Sequence, residues 1–258
     1  MKALRHARFC VFALTSLLSL GFSLEARPIT ITSTEGVSVE VELIELKTSP
    51  EYDEVRFRRV SDRREFRLSL DRLIPEDRKR IRKWWTTQER LASLLQPENE
   101  LDLRFKYNET RREIGNSNYS DEDEYRYEPQ VEIVNDDFYR DFKDNQILIV
   151  CFAKHTYYKG TLEVVSVSNK TFDIPKNKTI RVTGETFSFT NYDSDHSSYE
   201  YGWERAGYAI IIRNAEGEIT HTKASESFYL DHISKLMAMK EGEYYGDRYL
   251  DKKDSYYR

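Results

Sequence analysis

Glu65-Phe-Arg-Leu-Ser-Leu70 runs without a break into Asp71-Arg-Leu-Ile-Pro-Glu-Asp-Arg-Lys-Arg-Ile-Arg-Lys-Trp84. The change of period inside this stretch decides how the chain is read. Over the first six residues apolar and polar side chains alternate, the pattern of a strand with one buried face. Beyond Ile74 the apolar residues Ile81, Trp84, Trp85, Leu91, Leu94 and Leu95 recur at roughly helical spacing. Pro75 stands in a first helical turn, where its missing N–H costs nothing, and Glu76 and Asp77 come next, where the helix dipole favours acids. The spacing predicts a helix from Pro75 to Leu95, with the β-branched pair Thr86-Thr87 as a point of interruption.

Working outward toward the N-terminus, the pattern is all strand. Pro28-Ile-Thr-Ile-Thr32 and Val37-Ser-Val-Glu-Val-Glu-Leu43 alternate with period two, and apolar parity then shifts to Ile44 and Leu46, which predicts a bulge. A loop with Pro50 leads to Val55-Arg-Phe-Arg58, and the polar turn Ser61-Asp-Arg-Arg64 leads to the strand at Glu65. Four or five short strands within about 45 residues describe a small, strongly bent meander or barrel, which the apolar stripe of the helix would cap.

The order strand, strand, loop, strand, polar turn, strand, helix, with Phe66, Leu68, Leu70, Leu73, Glu76-Asp77, Ile81 and Trp84 at its end, resembles the Sla-one homology domain, type one. That domain is a Src-homology-three-like barrel found as a module in exported bacterial proteins. The likeness covers residues 27–85. It departs from the family at the turn between the third and fourth strands, where Asp62-Arg63 replaces the usual Asp-Gly, so the turn must be longer or of another type. The resemblance implies protein binding of an adaptor kind. The Asn-Pro-Phe ligand of the eukaryotic adaptor is not carried over. Trp84 and Trp85 are the candidate peptide platform.

Downstream, Pro97-Glu-Asn-Glu100 is a linker. Strand-like runs then recur at Leu101–Tyr107, Tyr125–Val134, Gln146–Ala153, Gly160–Val167, Thr179–Asn191, Ala206–Arg213 and Glu218–Lys223. Such spacing, with no convincing helix among the runs, predicts an antiparallel β-sandwich. Val131-Glu-Ile-Val-Asn135 and Gly207-Tyr-Ala-Ile-Ile-Ile212 are similar to immunoglobulin-like modules, a likeness of pattern more than motif. Ser120-Asp-Glu-Asp-Glu-Tyr125 reads as a plain acidic loop and Phe228–Met239 as a last strand or short helix. Residues 240–258, dense in Tyr and charge, read as a flexible tail. The fold class is therefore mainly β. A signal segment (1–26) precedes a barrel plus helix (27–96), a sandwich (97–239) and the tail (240–258).

The signal segment rests on a basic start, Lys2, Arg5, His6 and Arg8, an uncharged run from Phe9 to Leu24, and small residues at Gly21, Ser23 and Ala26. The run is shorter than the ~20 residues a helix needs to cross hydrocarbon, so no stable membrane span is expected after cleavage. Removing residues 1–26 shifts the net charge from −5 to about −7, which argues against a nucleic-acid partner. Cys151 is then the sole cysteine, so no intrachain disulfide forms; within Gln146–Ala153 it reads as a core thiol. Export without disulfides fits a bacterial periplasm or secretion from a bacterium.

Chemistry is sparse. Asp193, Asp195 and His196 form a candidate cation loop, although the Gly and terminal Glu of a calcium loop are missing. His155, His196, His221 and His232 show no metal-ligand spacing, and no nucleophile motif or phosphate loop is present. The expectation is an exported, non-catalytic binding protein with no cofactor, its partner a protein, a peptide or an envelope polymer. The alternatives are a carbohydrate-binding or structural surface protein, with exposed aromatics stacking on sugars, and a metal-dependent hydrolase built on Asp193, Asp195 and His196.

Overall fold

The computed structural model describes residues 28–50, 52–117, 120–193 and 201–254, with the backbone alone at 116, 117, 120, 121 and 193. The signal segment lies outside the described residues. The chain is mainly β and divides into two compact units, residues 1–87 and 88–258. The division falls inside the helix, earlier than the linker at Pro97 where composition places it.

In the first unit, β1 (Ile29–Thr32), β2 (Ser38–Thr48), β3 (Asp53–Arg59) and β4 (Glu65–Ser69) form one antiparallel sheet in the order β1-β2-β3-β4. The expected bulge is present between Leu43 and Glu45 in the pairing of β2 with β3. A bridge between Ser33 and Leu73 brings the end of β1 against the chain beyond β4, and the sheet curls into a half-barrel. Val41, Val55, Phe57, Leu70 and Leu73 fill its concave side. On the convex side the alternate residues form a ladder of ion pairs: Arg58 bonds Glu65 at 3.1 Å, and Glu65 bonds Arg56 at 2.6 Å. That alternation is the period of two in the sequence turned into geometry.

The helix α1 (Pro75–Ala92) lays Ile81, Trp84 and Trp85 on the same core. Thr86 and Thr87 do not interrupt it, because their hydroxyls donate back to the Arg82 and Lys83 carbonyls at 3.1 and 2.9 Å. The helix ends before Leu94 and Leu95, which the spacing had placed on it. Its first turn also closes the free edge of β1: the Thr32 N–H donates to Asp77 at 2.6 Å, and Arg80 bonds both Asp77 and the Thr30 carbonyl. Asp77 is buried, and these bonds make its burial tolerable.

The second unit holds two antiparallel sheets. β5 (Leu101–Ser117), β6 (Ser120–Asn135), β9 (Lys178–Thr183) and β10 (Phe187–Asp193) build the first, in which both β9 and β10 pair with β6. β7 (Phe142–His155), β8 (Thr161–Ile174), β11 (Trp203–Arg213), β12 (Ile219–Ala224), β13 (Tyr244–Gly246) and β14 (Lys252–Lys253) build the second, in the order β12-β11-β7-β8-β13-β14. The sheets share a core of Leu103, Val131 and Ile133 against Ile147, Ile149 and Ile210; Leu95 belongs to this core. The opposite face of the second sheet, with Leu148, Val150 and Phe152, is covered by α2 (Ser227–Leu230), α3 (Ile233–Leu236) and the chain beyond them. No helix among the described residues is long and apolar enough to cross a membrane.

Two expectations are corrected here. Residues 240–254 are not a flexible tail: they carry β13 and β14, and Tyr245 and Leu250 are buried. Glu243 organises them, accepting from Lys252 at 2.6 Å and from the Tyr245 hydroxyl at 2.7 Å, contacts that hold its carboxyl down to about 2. The acidic run at Ser120 is not a loop but the start of β6. Glu124 lies opposite Arg112 of β5, and Asp123 is buried and bonded to Arg111.

The Gly-less turn of the first unit is solved by length. Residues 60–64 connect β3 to β4, the Arg63 N–H donates to the Arg59 carbonyl at 2.9 Å, and Arg63 itself takes the left-handed conformation at φ 59°. A side chain in that region costs ~1–2 kcal/mol, whereas glycine adopts it freely. Arg63→Gly loses only an exposed ion pair to Glu42, which is worth a few tenths of a kcal/mol. The variant is expected to be more stable by about 0.5–1 kcal/mol, read from the midpoint of urea denaturation at unchanged slope.

Candidate functional site

The inner face of the half-barrel is left uncovered at one end. There, Ile31, Val37, Val39, Phe57, Phe66 and Leu68 line an open, almost wholly apolar groove of about 210 Å³. Each is placed by strand alternation: Phe66 and Leu68 share the concave face of β4, and Phe57 pairs directly opposite Phe66 on β3. The two rings stack with centroids 5.9 Å apart. Phe66 is 36% exposed and Val37, at the mouth of β2, is 61% exposed. Large apolar side chains left in water and gathered round one depression are the feature that ordinary surfaces lack.

One cation stands at the groove. The Arg59 guanidinium lies over the outer face of Phe66, 4.6 Å from the ring centroid, and is held there by two bonds to Asp62 at 3.0 and 2.6 Å. The bond from Arg59 keeps the Asp62 carboxyl below the usual carboxylate range. The groove can therefore take an apolar side chain while its rim offers a fixed donor group. The polar side chains in its lining are Arg59 and Ser33, whose hydroxyl accepts from the Val37 N–H at 3.1 Å.

The residues singled out in the sequence fall elsewhere. Trp84 and Trp85 are both half-buried against the barrel core, their rings 5.8 Å apart and tilted by 44°, and neither lines the groove. Asp193 ends β10 with only its backbone described, and Asp195 and His196 lie outside the described residues. No group of three or more metal-ligating side chains occurs among the described residues. Cys151 is fully buried, as its apolar run implies, and burial pushes its thiol up to about 12. The aromatics of the second unit are divided: Tyr127, Phe187 and Phe189 are each at most 8% exposed, whereas Phe138, Tyr139, Tyr157, Tyr192, Tyr201 and Tyr249 are exposed.

Sequence reasoning passed over two histidine environments in the second unit. His155, at the end of β7, sits among the rings of Tyr158, Tyr201 and Trp203 at 4.6 to 5.4 Å, and its Nδ1 accepts from the Tyr157 N–H at 3.1 Å. It opens on a cavity of about 210 Å³ whose charged walls include Lys154 and Glu204, already paired at 3.2 Å. His221 lies 2.6 Å from the Asn99 carbonyl through Nε2, while its Nδ1 is buried without a partner among the described residues. The sequence signal for the groove was present, since Val37 and Phe66 are inner-face residues at strand ends with nothing nearby to cover them. The ring cage around His155 carries no local signal, because Tyr201 and Trp203 reach it from β11 and the turn before it.

No protein-family model matches the chain, and no curated protein matches it either.

These buried groups lead to two expected outcomes. Burial lowers the proton affinity of both His155 and His221 below the ordinary value of 6.5. The unfolded chain then binds these protons more readily, so stability is at full strength above about pH 6.5 and falls as the pH is lowered toward 5. Thermal unfolding between pH 7.5 and 5 should show the midpoint falling, and His221→Gln, which keeps a donor toward the Asn99 carbonyl, should flatten that fall. The Cys151 thiol should not react with Ellman's reagent in the folded protein even at pH 8.5, and should react in full once denaturant is added.

Proposed function

We propose that the protein is an exported, non-catalytic binding protein of a bacterial envelope, and that the groove of its half-barrel holds apolar side chains of a protein or peptide partner. The observation that carries this reading is the groove itself: apolar, open, and rimmed by the exposed Val37 and Phe66. The adaptor-like order of strands and helix in the sequence supports the same reading, and the basic, apolar and small residues at the start of the chain support export.

An apolar groove of this size suits one or two anchor side chains presented on an extended backbone, the mode in which small barrels read short segments. Affinity would then rest on a few buried contacts, with Arg59 giving orientation more than energy. A sugar-binding reading depends on an exposed row of rings, and Tyr127 of β6 with Phe187 and Phe189 of β10 packs in the core instead, leaving Tyr192 exposed at the end of β10.

The test is capture from an envelope fraction with immobilised wild-type protein alongside Val37→Asp and Phe66→Asp. A partner held through the groove is retained saturably by the wild type and at least tenfold less by either variant, while the thermal midpoint of Val37→Asp stays within a few degrees. Equal capture by all three would remove the groove from the function.

A further inference from the structure

The edge of β5 is a second surface, independent of the groove. Asn108 to Ile114 are all exposed, and β5 pairs only with β6. Two bonds fix which backbone groups point away from the sheet. On β6 the Pro129 carbonyl accepts from the Gly184 N–H at 2.8 Å, so the odd-numbered residues of β6 turn their backbone toward β9 and β10, away from β5. Tyr107 pairs with Pro129, and the parity carries along the strand, so the odd residues of β5 turn their N–H and C=O outward. Lys223 bonding the Leu103 carbonyl from the outer side agrees. At Glu109 and Arg111 no donor or acceptor among the described residues meets the outward backbone groups, and these two residues present the edge.

Edges of this kind are usually blunted by charges that would repel a second strand. Here the run Asn108-Glu-Thr-Arg-Arg112 is instead complementary to itself. Antiparallel pairing of two copies through their outward groups must set odd residues against odd residues. Of those registers, the one centred on Thr110 places Glu109 of each copy against Arg111 of the other. It also sets Asn108 against Arg112 and Thr110 against Thr110. Opposite charges across a strand pair stabilise it and like charges oppose it. Shifting the centre to Arg111 would oppose Arg111 to Arg111 and Glu109 to Glu113; shifting it to Arg112 would match Arg111 with Glu113 but oppose Arg112 to Arg112 at the axis, whereas the register centred on Thr110 has no like-charge pair between residues 108 and 112. The bonds of these side chains within each copy, Arg111 to Asp123 and Glu109 to Arg205 at 3.5 Å, hold them on the strand.

We propose that the occupant of this edge is a second copy of the chain, and that two β5 strands pair antiparallel about a two-fold axis at Thr110 to make one continuous intermolecular sheet. A two-fold axis makes the interface self-matching, as most soluble dimers require. Strand pairing alone gives an interface smaller than the ~1,200 Å² typical of stable complexes, so dimerisation is weak and concentration-dependent.

Sedimentation equilibrium over a wide concentration range should show monomer and dimer. Glu109→Pro removes one outward N–H and leaves the pairing with β6 untouched, and Glu109→Lys, which gives up only an exposed ion pair to Arg205, sets a cation against Arg111 of the other copy; each should weaken the dimer at least tenfold at unchanged monomer circular dichroism. In a Cys10→Ser background Thr110→Cys should form an interchain disulfide under mild oxidation, because directly opposed residues at a non-hydrogen-bonded site lie about 4.5 Å apart in Cα. Arg112→Cys should not, since its two copies lie about 13 Å apart in this register. A chain that stays monomeric at every concentration overturns the proposal. So does a dimer that survives both Glu109→Pro and Glu109→Lys, or one in which Cys at 112 links as readily as Cys at 110.

Discussion

The second unit depends on a strand that is apolar on both faces. Along Ile147–Ala153 every side chain is buried, and the two parities go to different places. Ile147, Ile149, Cys151 and Ala153 enter the core shared with the first sheet, while Leu148, Val150 and Phe152 enter the core beneath α2 and α3. β11 does the same with Ile210 and Ile212 on one side and Ala209 and Ile211 on the other. Burying one such aliphatic or aromatic side chain is worth ~1.5–3 kcal/mol. Leaving the face of Leu148, Val150, Phe152 and Ile211 in water would forfeit on the order of 10 kcal/mol, as much as the net stability of many whole domains. Both faces of that sheet must therefore be covered, and the chain has to supply two covers. One is the sheet of β5, β6, β9 and β10. The other is supplied by residues after β12, among them Tyr229, Leu236, Tyr245 and Leu250, which is why they are packed.

That constraint marks how far the sequence could be read. The alternation of Val37–Leu43 and Glu65–Leu70, the bulge after Leu43, the start of the helix at Pro75 and the burial of Cys151 are all local signals, and all hold. The continuous apolar run at Gln146 identified a buried strand, yet its second consequence, a cover on the far face, was not drawn. Tyr245 and Leu250 looked like tail residues because the eight residues around each are polar; their burial is set by Leu148 and Phe152, about a hundred positions earlier. The acidic run at Ser120 failed for the same reason. Its charges look solvated until the register of β5 with β6 sets Arg112 across from Glu124 and brings Arg111 within reach of Asp123.

The sequence drew attention to a place other than the groove. An adaptor-like pattern pointed to a binding barrel, and the paired tryptophans drew attention because tryptophan is among the commonest anchors at interfaces. On a helix, however, neighbouring rings are pulled onto whatever apolar surface lies beneath, and Ile81 sets that surface for both. The groove forms instead where the helix does not reach, from residues unremarkable one at a time. Only the closure of β1 against Leu73 brings Ile31 and Val37 opposite Phe66 and Leu68.

The two free edges of the first sheets in each unit are treated in opposite ways, and the difference is physical. At β1 a buried carboxylate and an arginine from the first turns of α1 take the outward N–H of Thr32 and the outward carbonyl of Thr30, leaving neither group for a second strand to bond. That closure places a charge at a buried site, Asp77, which is stable only because both its oxygens are bonded. At β5 the outward backbone of Glu109 and Arg111 meets no such device among the described residues, and the two side chains are long, charged and paired with neighbours in their own unit. An edge defended by repulsion needs like charges in register, and Glu109 with Arg111 gives the reverse in the register centred between them. The same alternation that makes a strand amphipathic thus decides whether its edge is closed or self-complementary, and in this chain it has produced one of each.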